Sequence, residues 1–566
     1  MMRKKNRDYS GKNKTRLRDR LPFGRRKSNR DIVLEQAEQA KRRDDYYSSD
    51  GSQDSEMEPE YIELERSPRT DLSKVKKLES IFVPRSGRCL RTNRYMLYTS
   101  FMIIALFAGL IVYLVHFTIY DSSAVITSPY NKRTTALAEN IKKGSIKSAN
   151  DKILASTKVN DEGDEYRYYP YENMFAHVVG YNRHGKGGLE SSYNYEMLTS
   201  HEKLLEQFKK GITGKKNTGD TLYTTLDTRL QKRAYQEMEG RRGSIIAIEP
   251  KTGRVRAMVS KPDFDPNTLD EDWEDINTEG SSILVNRAIS GMYPPGSTYK
   301  TLTALEYIEE NPGTYQNFKY KCKGETIVNS VRIKCYGGAE HGKEDLSYAF
   351  AHSCNTAFVT IGSKLNLRKF INLNQRFLFD SGIPFDLPVK RSRLGLNIKS
   401  DKSQIPQASI GQGDTLVTPF HNALIMCAVA NDGVLMKPTL VDHIESADGS
   451  IVSRVKPEKW KRLADDSDAK IMQKLLREVV TEGTGRALKT DKYTVAGKTG
   501  TAEHGGDEDH SWFVGFSNIE DPDLVVCVLV ENGGAGSEVA APIADEIFDS
   551  YYENEMYKDY RKGDNK

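Results

Sequence analysis

Three short strings follow one another in the second half of this 566-residue chain: Ser297-Thr298-Tyr299-Lys300, Ser353-Cys354-Asn355 and Lys498-Thr499-Gly500. The first offers a hydroxyl with an amine three residues on, the second a hydroxyl beside an amide, the third a cation next to a glycine. A weakly acidic hydroxyl becomes a nucleophile when a neighbouring base takes its proton, and a neutral lysine can be that base. Any one string occurs by chance in a chain of this size. All three, in this order and in suitable local settings, point to acyl transfer through a serine.

The elements that must position these residues can be read around them. Ser297 follows Pro294-Pro295-Gly296 and opens a helical pattern through Leu302, Leu305 and Ile308 that stops at Asn311-Pro312-Gly313. Residues three apart share a helix face, so Lys300 is stacked beside Ser297. Burial and neighbouring cations would keep its amine neutral. The plain alternative is a helix-capping serine and a solvated lysine. Ser353 and Asn355 interrupt the apolar stretch Ala349–Phe358, which suits a turn between two buried helices aimed at a cleft; here the plain alternative is local backbone satisfaction. Lys498-Thr499-Gly500-Thr501 closes the β-type run Tyr493–Gly497, and Gly497 and Gly500 leave room for a substrate backbone along the strand edge. An exposed hairpin end would suit the same letters.

Strand candidates are Ser244–Glu249, Arg254–Ser260, Lys492–Gly497, Ser511–Phe516 and Leu524–Glu531, two before a helical middle and three after it. That order fits one antiparallel sheet closed by distant segments, an α+β arrangement. Asp466–Val480 and Ala541–Tyr552 are later helix candidates.

The first half is organised differently. Tyr95–Tyr120 carries no Asp, Glu, Lys or Arg, and about 20 apolar residues suffice to cross a bilayer. Arg85, Arg88, Arg91 and Arg94 precede it and Asp121 follows. The positive-inside rule predicts a single-pass anchor with a cytoplasmic N-terminus. Residues 1–94 hold blocks of opposite charge, with thirteen Lys or Arg in the first thirty residues, and read as a disordered tail, solvated or touching anionic lipid or a cytoplasmic partner. A tethered chain of net charge +4 argues against a nucleic-acid partner.

Six cysteines are too few for a disulfide scaffold. Cys322 and Cys335 flank a polar hairpin-like stretch, where either a bridge or two thiols would fit. Cys427 and Cys527 lie in apolar runs and read as core. Cys354, near His352, offers a remote alternative nucleophile. No metal-ligand spacing among the Cys and His residues, phosphate-binding loop or dinucleotide fingerprint appears, so neither metal nor cofactor is expected.

From about Arg242 to Ile547 the chain resembles the transpeptidase domain of a class B penicillin-binding protein. The three strings carry the likeness, together with Ala247–Gly253, Ala257–Pro262, Asn286-Arg287-Ala288, Gly411-Gln412-Gly413, Val417-Thr418-Pro419, Thr481–Gly485 and Trp512–Phe516. Between the anchor and this region, Asn131-Lys132-Arg133, Lys143–Ser148, His177–Tyr181, Gly188-Leu189-Glu190 and Leu226-Asp227 resemble the family's pedestal. Lys143 and Ser148 stand where members often carry arginine and aspartate.

The resemblance implies a tail over 1–94, an anchor over 95–120, a pedestal over 121–240, a transpeptidase domain with a five-stranded antiparallel sheet flanked by helices over 241–550, and a C-terminal tail over 551–566. It implies Ser297 as nucleophile and Lys300 as its base. Ser353 and Asn355 would relay the proton and hold the substrate amide, and Lys498 would supply positive potential. Thr499, Gly500 and Thr501 would bind the substrate carboxylate, with the N–H groups of Ser297 and Thr501 forming the oxyanion hole. The expected activity is cross-linking of peptidoglycan stem peptides at a bacterial cell membrane, with the catalytic domain outside, β-lactams as covalent inhibitors and a SEDS-type glycosyltransferase as partner. Class A β-lactamases carry E-x-x-L-N; here Leu365, Leu373 and Leu396 are preceded at that spacing by Gly362, Phe370 and Arg393, which disfavours that reading. A D,D-carboxypeptidase, a β-lactam sensor and a non-catalytic scaffold remain as alternatives.

Overall fold

The computed structural model describes residues 88–118, 137–278, 280–503 and 508–563; most of the expected N-terminal tail lies outside them. Helix α1 (Arg88–His116) is, over Arg94–His116, long and apolar enough to cross a bilayer.

The pedestal is built on β1 (Ile146–Lys147), β2 (Ile153–Val159), β3 (Glu165–Tyr168) and β4 (Thr221–Thr224). β1 runs parallel to β4 and antiparallel to β2, which pairs with β3. On its other side β4 pairs with Val441–Glu445, which in turn pairs with Ile451–Arg454. Two strands far down the sequence therefore complete this six-stranded sheet, a pairing that no local pattern announces. The position where members of the resembled family often have arginine keeps its electrostatic role here. Lys143 Nζ lies 2.6 Å from Glu190 Oε2, and Arg167 Nε lies 2.7 Å from Glu190 Oε1, all three side chains buried. Burial alone would raise the Glu190 carboxyl, but Arg167 and Lys143 hold it below its ordinary value.

Helix α2 (Thr228–Glu237) starts on Asp227, whose carboxylate accepts from Arg229 N. Although it falls within the expected pedestal, its Leu230 and Ala234 pack on the catalytic sheet. That sheet has the order β7-β8-β9-β5-β6, with β5 (Gly243–Ile248), β6 (Val255–Lys261), β7 (Val495–Ala502), β8 (His510–Ser517) and β9 (Val525–Val530), antiparallel throughout. Both faces are covered, which is why β9 reads as an unbroken apolar run. Val525, Cys527 and Leu529 join one core; Val526, Val528 and Val530 join the other.

The first core holds α3 (Lys300–Glu310), α4 (Leu346–Ala351), α5 (Asn355–Lys364), α6 (Pro419–Ala430) and α7 (Asp466–Thr481). Every residue of α6 is buried, as befits a helix enclosed on all sides. The second core holds α2, α8 (Ala540–Glu553) and α9 (Met556–Gly563). The end of the chain is thus not a loose tail as far as residue 563. Tyr551, Met556 and Tyr560 are buried, and the Arg256 guanidinium lies 3.8 Å from the centre of the Tyr560 ring.

Candidate active site

Ser297 does not cap a helix. It sits inside the 3-10 turn Gly296–Tyr299, which runs into α3, and neither element is capped by a side chain. Gly296 has φ +53°, and a β-carbon there would fall 2.6 Å from Thr501 O, so the turn requires glycine to lie against β7. Surrounding groups fix the turn. Gly296 N donates to Gly411 O at 2.9 Å, Trp512 Nε1 to Pro294 O at 3.0 Å, and Asn422 Nδ2 to Thr298 Oγ1 at 3.2 Å. Gly411-Gln412-Gly413 therefore has a visible purpose here, while Asn422 carries no sequence signal.

Lys300 is fully buried. Its Nζ donates to Ser353 O at 2.6 Å, Ser353 Oγ at 3.1 Å and Asn355 Oδ1 at 2.6 Å. Two of the three strings thus meet at one amine, rather than serving only their local backbone. Ser353 occupies the turn between α4 and α5 at φ +57°, a conformation that costs about 1 kcal/mol or more in a non-glycine residue and is held only where the surroundings enforce it. Asn355 opens α5 and donates from Nδ2 to Lys334 O at 2.9 Å. Burial pulls the Lys300 amine from 10.5 down to about 8.

The third string lies within β7 rather than at its end. The sequence pattern placed the strand over 492–497, because the polar letters of Lys498–Thr501 hide an extended segment buried by its neighbours. β7 is an edge strand, pairing Thr499 with Phe513 and Gly500 with Trp512. At Gly500 a β-carbon would lie 3.0 Å from Thr298 Cγ2, 3.1 Å from Trp512 Cβ and 3.2 Å from Pro295 O. Thr499 Oγ1 is 2.6 Å from Thr484 Oγ1, and Thr501 Oγ1 accepts from Gly536 N at 3.3 Å. Lys498 is fully buried with Nζ 3.2 Å from Thr499 O. Burial first, then the positive charge of Lys300, push its pKa well below the ordinary value.

Ser297, Ser353, Asn355, Thr499, Gly500 and Thr501 all line one cavity of about 760 Å³. Lys300 and Lys498 sit behind its wall. The thiol alternative loses its base: His352 stacks on Tyr348 with ring centres 3.9 Å apart, its Nδ1 lying 3.1 Å from Tyr348 O, while Cys354 is buried.

Cys322, Cys335, His341 and Cys354 bring four potential ligand atoms within 4.8 Å of one another. They come from separated positions, so the short spacings that mark common metal sites are missing from the sequence. Cys322 and Cys335 are free thiols here, with Sγ atoms 3.7 Å apart.

Residues 243–549 match the penicillin-binding protein transpeptidase domain, and residues 143–222 the penicillin-binding protein A dimerisation domain. The peptidoglycan D,D-transpeptidase PbpA of Mycolicibacterium smegmatis is 32% identical over 457 residues, 75% of this chain and 92% of that protein. The peptidoglycan D,D-transpeptidase MrdA of Acinetobacter baumannii is 29% identical, over 68% of this chain and 65% of that protein. Among solved structures, the imipenem acyl-enzyme of penicillin-binding protein A from M. tuberculosis superposes with TM-score 0.68 at 29% identity, covering 73% of this chain and 99% of that one. The D,D-transpeptidase domain of a peptidoglycan glycosyltransferase from Eggerthella lenta does so with TM-score 0.68 at 27% identity, covering 74% and 99%. With the serine, the buried lysine and the glycine-bearing edge strand gathered on one cavity and matched over this length, the chain belongs to the class B penicillin-binding proteins.

Proposed function

We propose that this protein is a membrane-anchored serine D,D-transpeptidase that cross-links peptidoglycan stem peptides and is acylated by β-lactams at Ser297. The observation that carries the reading is the buried Lys300 amine held by Ser353 and Asn355 beside the cavity that Ser297 lines. With a pKa of about 8, about a tenth of it is neutral at pH 7, against about one part in three thousand for an ordinary lysine. Ser297 Oγ attacks the carbonyl of the penultimate D-alanine while Lys300 takes its proton. As the tetrahedral adduct collapses, the bond to the terminal D-alanine breaks, and Ser353 passes a proton to that leaving amine. A side-chain amine of a second stem peptide then attacks the acyl-serine ester, forming the cross-link and releasing Ser297.

Thr499 and Thr501 hold the donor carboxylate along β7. Lys498 supplies positive potential from behind the cavity wall rather than touching substrate. The backbone N–H groups of Ser297 and Thr501 serve the oxyanion. The apolar length of α1 and the arginines that precede it support an N-terminus in the cytoplasm, α1 in the membrane and the catalytic domain outside; the family resemblance alone suggests a lipid II polymerase of the SEDS type as partner.

The test is covalent labelling of the full chain with a fluorescent penicillin, beside Ser297→Ala. A stable adduct on the wild type that is absent from the variant is expected. No adduct on a folded wild-type chain refutes the reading. Product analysis with stem peptides should then show the acyl group passing to an amine rather than to water.

A further inference from the structure

The cluster behind the Ser353 turn has a geometry of its own. Cys322 closes the short strand Tyr320–Cys322, Cys335 follows the hairpin Glu325–Lys334, His341 precedes the strand Gly342–Glu344, and Cys354 caps α5. The three sulfurs are buried and the imidazole is half-buried. Cys322 Sγ lies 3.7 Å from Cys335 Sγ and 3.4 Å from His341 Nδ1, and Cys335 Sγ lies 3.8 Å from Cys354 Sγ. A tetrahedral zinc ion with thiolates at about 2.3 Å and an imidazole nitrogen at about 2.0 Å sets its sulfurs about 3.8 Å apart and sulfur from nitrogen about 3.5 Å apart. Three of the six separations match the edges of that tetrahedron, and all four ligand atoms lie within 4.8 Å of one another. Two bonded sulfurs would instead stand about 2.0 Å apart, and a disulfide would leave the third thiol and the imidazole unexplained.

Donors already in place serve the sulfurs. Thr356 Oγ1 donates to Cys322 Sγ at 3.3 Å and lies 3.2 Å from Cys354 Sγ, Gly324 N donates to Cys322 Sγ at 3.4 Å, and Ala357 N to Cys354 Sγ at 3.5 Å. Such second contacts orient thiolate ligands. A site of three soft sulfurs and one imidazole in tetrahedral array selects zinc over magnesium or calcium.

We propose that Cys322, Cys335, His341 and Cys354 form a Cys3His zinc site that clamps the turn bearing Ser353 and Asn355. All four positions are filled by protein, so the metal is structural rather than a source of activated water. Its reach into the active site is covalent: Cys354 stands between the two residues that hold the Lys300 amine. Zinc binding takes one ion from solution and releases the thiol protons. The clamping of the catalytic turn rests on the transpeptidase reading above; the metal site does not.

The test is zinc analysis of the full chain purified in detergent without chelators, with acylation by fluorescent penicillin followed in parallel. About one zinc per chain is expected, falling toward zero in Cys335→Ser and His341→Ala. Thr356→Val should weaken zinc binding about tenfold. Zinc removed with a chelator should take the acylation rate with it, and zinc added back should restore both. Should the variants fail to fold, cobalt substituted into the wild-type chain should give the visible bands of a tetrahedral thiolate site. A wild-type chain without zinc whose Cys322 and Cys335 map as a disulfide overturns the proposal, as does full zinc retention in folded Cys335→Ser. Zinc at one per chain with Ser297 never acylated keeps the metal site and removes the catalytic reading.

Discussion

The rate at which penicillin acylates Ser297 should depend on pH through a single buried amine. Lys300 must be neutral to accept the Ser297 proton, and burial has lowered its pKa to about 8. A lysine lowered in this way gains its active form as pH rises. The neutral fraction climbs about ninefold from pH 6 to 7 and about tenfold from pH 7 to 9, then levels off near its maximum. An unburied lysine, titrating near 10.5, would keep rising nearly tenfold per pH unit up to about pH 9.5. The measurement is the second-order rate constant for acylation of the full chain by a fluorescent penicillin between pH 5.5 and 10, with spontaneous penicillin hydrolysis followed on Ser297→Ala. A break near pH 8 supports Lys300 as the base. A rate that is flat from pH 6 to 9, or that has no break below pH 9.5, refutes the reasoning, because neither can come from an amine buried against Ser353 and Asn355.

Lys300→Met should abolish acylation and yet leave the protein slightly more stable at pH 7. The drop from 10.5 to about 8 corresponds to about 3 kcal/mol against the fold, while the acceptors left on Ser353 and Asn355 lose about 1 kcal/mol each. That cost is full below pH 8 and gone above pH 10.5, where only the loss of about 2 kcal/mol at the two acceptors remains, so the stabilities of the two chains should cross as pH rises, the variant ending the less stable; a variant less stable by several kcal/mol at pH 7 would contradict it. Gly500→Ala presses a methyl group against Thr298, Trp512 and Pro295 and should slow acylation about a hundredfold, the effect of displacing reacting groups by about 1 Å, with little change in the melting midpoint. Glu190→Gln strands Lys143 and Arg167 in the pedestal interior and should cost about 3 to 5 kcal/mol, read as an earlier unfolding transition, while Ser297 in the folded fraction still takes penicillin.

The catalytic sheet was legible because its strands are apolar on both faces. Ile245-Ile246-Ala247-Ile248 and Val525–Val530 feed two cores at once, and a run of that kind shows in the letters. The extent of β7 was not legible: Lys498 and Thr499 are buried and Thr501 half-buried by tertiary contacts that no local hydropathy reports. The three strings named the site, yet the sequence could not show that Ser353 and Asn355 share a single amine. It gave no sign of Asn422, whose partner Thr298 is remote in the chain. The cysteine and histidine cluster escaped for the same reason, being assembled from four separate elements. The polar strands Val441–Glu445 and Ile451–Arg454 carry no mark of the sheet they join.

Those two strands set an order of events during synthesis. When β4 emerges from the ribosome, one of its edges can pair with β1, but the other waits for Val441–Glu445. Until that segment arrives, the growing chain carries an open strand edge, able to pair with a neighbouring chain as readily as with itself. The pedestal comes first in the sequence but cannot finish first, and a chain cut short within the catalytic region loses the completed pedestal as well. Maturation of the two regions is one event, and the interval before Val441 is when the nascent protein is most exposed to misassembly.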